Sequence, residues 1–170
     1  MKNKTTKKLN KKTKTKARAK SPTKKVQAIP AGYSTVTPGF AAVDCHKAIE
    51  FLKSAFGAKV KHLFLGPDQK VMHCELRVGD TVVMCGEPQG ERHSLRAMIY
   101  VKNCDAVFHK ALASGGTAKG QLTDQFYGDR TGTVVDPCGN EWTIATHIED
   151  VSKKEMDRRM KRMMSGQSAA

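Results

Sequence analysis

The sequence predicts an α+β fold of two tandem βαβββ modules, and three observations predict it. Two stretches can be laid over each other: Val43, Ala48 and Gly57 match Val101, Ala106 and Gly115 at an offset of 58, and Gly79-Asp80 matches Gly139-Asn140 at an offset of 60. In each stretch a short apolar run leads into one segment of helical periodicity. Three runs of strand character, punctuated by turn residues, then follow.

The first module, about residues 33–88, opens with the apolar run from Tyr33 to Val43. Asp44 suits a helix N-cap, since its carboxylate can accept from an otherwise unpaired amide of the first turn. Ala48, Ile49, Leu52, Ala55 and Phe56 recur at helical spacing, and Gly57 can supply the left-handed stop. Strands are expected at about Lys59–Leu65, Lys70–Val78 and Asp80–Gly86, with Pro67-Asp68 and Gly79-Asp80 turning the chain. The second module, about residues 94–149, repeats the order: the run Leu95–Val101, the N-cap Asn103, and a helix with Val107, Phe108, Ala111 and Leu112 on one face that stops at Gly115. Its strands are expected at about Ala118–Gln125, Arg130–Asp136 and Asn140–His147, with turns at Gly128-Asp129 and Gly139-Asn140. Beyond them Ser152 and Glu155 have capping-box spacing, so residues 151–170 are read as a basic, methionine-rich helix to about Met164 and a tail. Met156, Met160, Met163 and Met164 fall near one helical face and suit packing or a dimer contact.

At 170 residues the chain fits one domain. Its net charge of +14 does not describe that domain, because residues 1–25 carry eleven lysines and Arg18 with no acid. From Val26 onward 18 basic groups face 16 acidic ones, so the folded body is nearly neutral. Residues 1–27 hold too few apolar side chains to offset chain entropy and are expected to be a disordered lysine-rich tail, leaving 28–150 as the domain. Weak binding of polyanions through residues 1–25, without sequence preference, is one role for it. The tail has no apolar run of signal-peptide type, and no later stretch approaches the roughly 20 apolar residues that span a bilayer. Cys45, Cys74, Cys85, Cys104 and Cys138 are odd in number and unpaired by spacing, which fits free thiols in a reducing compartment and a cytoplasmic protein with no membrane contact.

Successive strand residues point to opposite sheet faces. In the strand near Val71–Val78, Met72, Cys74, Leu76 and Val78 form an apolar side and His73, Glu75 and Arg77 the other. Leu95, Ala97, Ile99 and Val101 similarly leave Arg96, Met98 and Tyr100 opposite, and Trp142, Ile144 and Thr146 leave Glu141, Thr143, Ala145 and His147. A solvated outer surface or a pocket lining both fit this polar face.

Ile29–Pro38, Ala48–Ala58, Met72–Asp80, Asp124–Gly132 and Asp136–Trp142, in that order and spacing, resemble the PhnB-like branch of the glyoxalase, bleomycin-resistance and dioxygenase (vicinal-oxygen-chelate) superfamily. The resemblance implies a curved half-barrel sheet with helices on its convex side, usually in a homodimer, and a ligand pocket on the concave face. It would place pocket residues at Ser34, Arg77, Arg96, Met98, Tyr100, Glu141, Thr143 and His147. Members that are enzymes hold a divalent metal at four positions, which fall here near Ser34, Val83 or Met84, Arg96 and Thr143. None is a usual ligand, so no metal cofactor is expected there. His73, Glu75, Glu141 and His147 offer the donors for a displaced site, and His73 with Glu75 also suits a catalytic proton-transfer pair.

Three functions fit these residues. The first is a small-molecule-binding protein of this superfamily, with an anionic ligand on Arg96 and lyase or isomerase chemistry that bypasses the usual metal. The others are a ligand-sequestering protein without catalysis, and a nucleic-acid-associated protein acting through its tail. Whether the chain is an enzyme stays open at this stage.

Overall fold

Asp44 opens the first helix by accepting a hydrogen bond from the Lys47 amide, and Gly57 closes it at φ +68°, donating to the Leu52 and Lys53 carbonyls. In this computed structural model, which describes residues 27–88, 90 and 93–165, that helix is α1 (Cys45–Phe56). The second, α2 (Cys104–Ala113), is capped by Asn103, whose side chain accepts from the Ala106 amide. Of the faces their periodicity predicts, α1 buries Ala48, Ile49, Leu52 and Ala55 with Phe56 half-buried, and α2 buries Phe108 and Ala111 with Val107 and Leu112 half-buried; Phe51 and Cys104 are buried beside them.

The first sheet contains β1 (Gly39–Ala41), β2 (Lys59–Leu65), β3 (Val71–Val78) and β4 (Thr81–Gly86) in the order β1-β4-β3-β2. The second contains β5 (Arg96–Tyr100), β6 (Thr117–Ala118), β7 (Thr123–Asp124), β8 (Asp129–Val135) and β9 (Glu141–His147), in the order β5-β9-β8-β6 with β7 also paired to β8. In both, the strand before the helix runs parallel to the last strand of its module, and the other pairs are antiparallel. The same topology twice over is the architecture expected from the repeat. Both sheets are mixed and neither closes into a barrel.

One core joins the modules. Phe51, Leu52 and Leu76 from the first and Val134, Trp142 and Ile144 from the second are buried together, each worth about 1.5–3 kcal/mol of apolar transfer. Phe56 lies 5.6 Å from Phe51 and 5.3 Å from Trp142, so aromatic contacts cross the junction. All five cysteines are free and buried, in line with their role as small apolar groups.

Several strand expectations are corrected. The run from Tyr33 to Val43 yields only the three residues of β1, because the chain ahead of Pro38 is held over the sheet face instead of pairing along its edge. The single strand expected at Ala118–Gln125 is the two short pieces β6 and β7, interrupted at Gly120 with φ +131°. In β3 the register against β2 shifts between His73 and Val71, so Val71 is buried while Met72 turns outward. A β-bulge of this kind breaks strict alternation, which is why Met72 does not join Cys74 and Leu76.

The third helix, α3 (Lys153–Met164), starts at Ser152, whose hydroxyl accepts from the Glu155 amide. None of its residues is buried, and Met163 and Met164 are exposed. The lysine-rich tail falls almost wholly on residues 1–26 and the last five residues on 166–170, both outside the described residues. Among the described residues no helix is long and apolar enough to cross a membrane.

Candidate functional site

Directly opposed strand residues share a sheet face. The register pairs His62 with Glu75, Phe64 with His73 and Glu75 with Met84, while Leu76 pairs with Val83 and Cys74 with Cys85. Since Leu76, Val83, Cys74 and Cys85 are buried in the core, His73, Glu75, Met84 and Arg77 occupy the face away from the helices. By the same test Arg96, Met98, Tyr100, Glu141, Thr143 and His147 occupy that face of the second sheet.

On the first sheet the polar residues gather around Glu75. The Tyr33 hydroxyl donates to its Oε2, His73 Nε2 lies 3.3 Å from Oε1, and Lys61 Nζ is 3.8 Å away. The hydrogen bond from Tyr33 is the main reason the carboxyl is held below its usual range, with His73 adding to it against burial. Lys61 also lies over the Tyr33 ring, 3.6 Å from its centroid. Arg77 donates to the Gly32 carbonyl at 2.6 Å and to that of Asp80 at 3.0 Å. Residues 29–37 therefore form a strap, fastened by Tyr33 and Gly32. With Glu75 and Met84, strap residues including Ser34 line a cleft of about 480 Å³.

On the second sheet two clusters form. The buried Asp129 accepts from the Tyr100 hydroxyl at 2.7 Å through one oxygen, and its other oxygen lies 2.8 Å from His147 Nδ1. His147 Nε2 is 3.0 Å from Asp150. Burial pushes the Asp129 carboxyl up, but the hydrogen bonds from His147 and Tyr100 outweigh it and hold the group below the ordinary range. The same contacts raise His147, through Asp129 first and Asp150 second, and raise the Tyr100 phenol. Nearby, Arg96 Nε is 3.0 Å from Glu141, which also takes Lys119 at 2.5 Å, and Thr143 bonds Thr133 at 3.0 Å.

The structure thus brings together His73 with Glu75, Tyr100 with His147 and Arg96 with Glu141. It does not gather His73, Glu75, Glu141 and His147, which are divided among three clusters, and no group of three or more His, Cys, Asp or Glu among the described residues is arranged to hold a metal ion. Ser34 is in the strap, Val83 is in the core, Met84 is a thioether, Arg96 is a cation and Thr143 bonds a hydroxyl. That donor set does not suit a divalent cation. Arg77 serves the strap and Asp80.

The sequence places Asp129 in the Gly128-Asp129 turn and Arg130 at the start of a strand. Asp129 organises the second cluster, whereas Arg130 forks onto Asp105 at 2.8 and 2.9 Å and reaches Asp124 at 2.7 Å, tying α2 to β8. Asp129 was legible from alternation, because Asp129, Thr131 and Thr133 share one face with their register partners His147, Ala145 and Thr143. Nothing in strand periodicity marks Tyr33 or Lys61, which reach Glu75 from a loop and a bulge.

Residues 36–144 match the family described as the Glyoxalase/Bleomycin resistance protein/Dioxygenase superfamily. Uncharacterised proteins of Mycobacterium bovis and Mycobacterium tuberculosis are each 33% identical over 138 residues, covering 74% of this chain and 91% and 81% of theirs. Among solved structures, TioX from Micromonospora superposes with a TM-score of 0.59 at 24% identity, over 68% of this chain and 99% of its own. The Bacillus cereus PhnB protein gives 0.53 at 18% over 66% and 99%, and a lactoylglutathione lyase from Agrobacterium tumefaciens 0.51 at 16% over 66% and 93%. At these identities the superpositions speak for the fold alone.

Proposed function

We propose a function from one premise: the chain belongs to the glyoxalase/bleomycin resistance protein/dioxygenase superfamily. On that premise it is a small-molecule-binding protein whose ligand, an organic anion, lies on the sheet face away from the helices. The observation that carries this is the row Arg96, Met98 and Tyr100 along β5, all three exposed on that face. Arg96 contacts Glu141 through Nε at 3.0 Å, and its side chain is 80% exposed. A guanidinium so placed suits two-pronged binding of a carboxylate or phosphate. Met98 and Tyr100 offer apolar and aromatic surface to the rest of the molecule.

Neither binding nor any proton transfer in this proposal uses a divalent metal at the superfamily's usual positions. If chemistry occurs, His73 and Glu75 are the pair for lyase or isomerase proton transfer. Sequestration without catalysis is favoured by one observation, that both oxygens of Glu75 are already engaged by the chain's own Tyr33 and His73.

Titration calorimetry with a panel of small carboxylates and phosphates tests the proposal. Arg96→Ala should weaken the anionic binders at least about tenfold, the effect of about 1.4 kcal/mol. Loss of this exposed pair should leave the stability essentially unchanged, since solvent screens it. Equal binding by both proteins would overturn the assignment. Elemental analysis after metal-replete purification tests the metal-free part, against which one tightly held zinc, nickel or manganese per chain would count.

A further inference from the structure

On the open face of the second sheet the charges gather at two ends. Arg96, Lys119 and Glu141 meet at one, since Arg96 is the register partner of Glu141 and Lys119 reaches the same carboxylate. His147, Asp129 and Asp150 meet at the other. Between them the open-face positions of β5, β8 and β9 are Met98, Tyr100, Thr131, Thr133, Thr143 and Ala145, none of which carries a charge. Glu141 and His147 are the first and last of the 7 residues of β9, so the two ends lie roughly 20 Å apart along the strand.

The two carboxylates on His147 are not equivalent. Asp129 is buried and also accepts from the Tyr100 hydroxyl at 2.7 Å, which makes it a fixed partner of Nδ1. Asp150 is fully exposed beyond the end of β9, and its 3.0 Å contact with Nε2 is the kind of surface pair that solvent screens. An ionised carboxylate only accepts hydrogen bonds, so a ring that faces one from each nitrogen donates from both and is an imidazolium. Asp129 therefore holds the cation in place, while Asp150 loosely fills a position suited to a carboxylate.

We propose that the ligand of this face is an elongated dicarboxylate, with one end on Arg96 and the other on His147 in the place of Asp150. This rests on the assignment of Arg96 to an anion and adds the second end, the spacing and the chemical class. Each end already holds a carboxylate of the chain itself, Glu141 at 3.0 Å from Arg96 Nε and Asp150 at 3.0 Å from His147 Nε2. Met98 and Tyr100, both exposed, give the stretch between them an apolar and aromatic floor against which methylene groups can lie. A short diacid cannot reach both cations, and a monoacid can engage only one.

Titration calorimetry on the full chain with dodecanedioate, and with dodecanoate as the monoacid of the same length, tests this. Dodecanedioate should bind at least about tenfold more tightly, the effect of one additional charge-assisted hydrogen bond. Succinate should show no such advantage over butanoate. Asp150→Asn removes the competing carboxylate and should widen the ratio of diacid to monoacid affinity about two- to fivefold, as expected for loss of an exposed pair. His147→Gln should bring that ratio down to about one. In NMR spectra the His147 ring signals should move on addition of dodecanedioate and stay in place with dodecanoate. Equal binding of the two acids by the wild type, or a ratio that is the same in all three proteins, would overturn the inference. If dodecanoate binding still depends on Arg96 in that event, the assignment of Arg96 to an anion stands and only the second end is lost. If neither acid depends on Arg96, the assignment itself has failed and this inference with it.

Discussion

His147 Nδ1 lies 2.8 Å from Oδ1 of Asp129, and the other oxygen of that buried carboxylate accepts the Tyr100 hydroxyl. The histidine is raised and the aspartate lowered by this contact, so each titrates differently in the folded and unfolded chains. A raised histidine contributes stability that is complete below its unfolded value of about 6.5 and is lost as pH rises through the folded value. A lowered aspartate contributes above about 3.9 and loses its contribution as pH falls through its folded value. His147→Ala should therefore lower the melting temperature more at about pH 6 than at about pH 9, and equal losses would show that the pair does not titrate as a unit.

Tyr33→Phe keeps the ring under Lys61 and removes the hydroxyl that holds Glu75. Loss of one such hydrogen bond costs about 0.5–1.5 kcal/mol. Because Glu75 is lowered, the contribution is present above about pH 4.3 and lost as pH falls through its folded value, so wild type and variant should converge in acid. Carboxylate chemical shifts followed by NMR should show Glu75 titrating higher in the variant. An unmoved Glu75 titration would remove the strap as its cause.

Gly128 sits at φ +101°, and its carbonyl accepts from the Ile148 and Glu149 amides. A Cβ there would collide with the Glu149 carbonyl and touch the Val151 side chain. Gly128→Ala should destabilise by at least about 2 kcal/mol, combining backbone strain with a steric clash. Urea denaturation gives the value, and a variant within about 0.5 kcal/mol of wild type would contradict the local geometry.

Strand β2 is a sheet edge with Leu63, Phe64 and Leu65 exposed. Uncovered apolar edges invite pairing, so a homodimer that covers β2 is expected. Light scattering at micromolar concentration should give twice the chain mass, and Leu63→Lys with Phe64→Lys should shift it towards the monomer. A monomeric wild type would count against the dimer.

The helices and the repeat were legible because their signals are local. An N-cap such as Asp44 or Asn103 and a stop such as Gly57 act within a few residues, and the apolar face of α1 is written at one period. The open-face residues on β5 and β9 were legible for the same reason, since alternation fixes a face once the strand is known. What could not be read depends on contacts across the fold. Tyr33 lies 42 residues from Glu75, and Gly32 lies 45 from Arg77, so neither strap fastening leaves a periodic trace. Met72 was misplaced because a bulge depends on the register with a partner strand. Glu141 was read as a donor for a displaced metal site, whereas the fold sets Arg96 and Lys119 against it.

The chain has a single tryptophan, Trp142, buried on β9 with its indole N–H donating to Asp136 at 3.1 Å and its ring against Phe56 of the other module. Its emission consequently reports on the seam between the modules as well as on its own strand. A protein whose modules part while each keeps its secondary structure would shift that emission to the red with the far-ultraviolet circular dichroism nearly unchanged. One native fluorophore can thus separate undocking of the halves from their unfolding, without any label being attached.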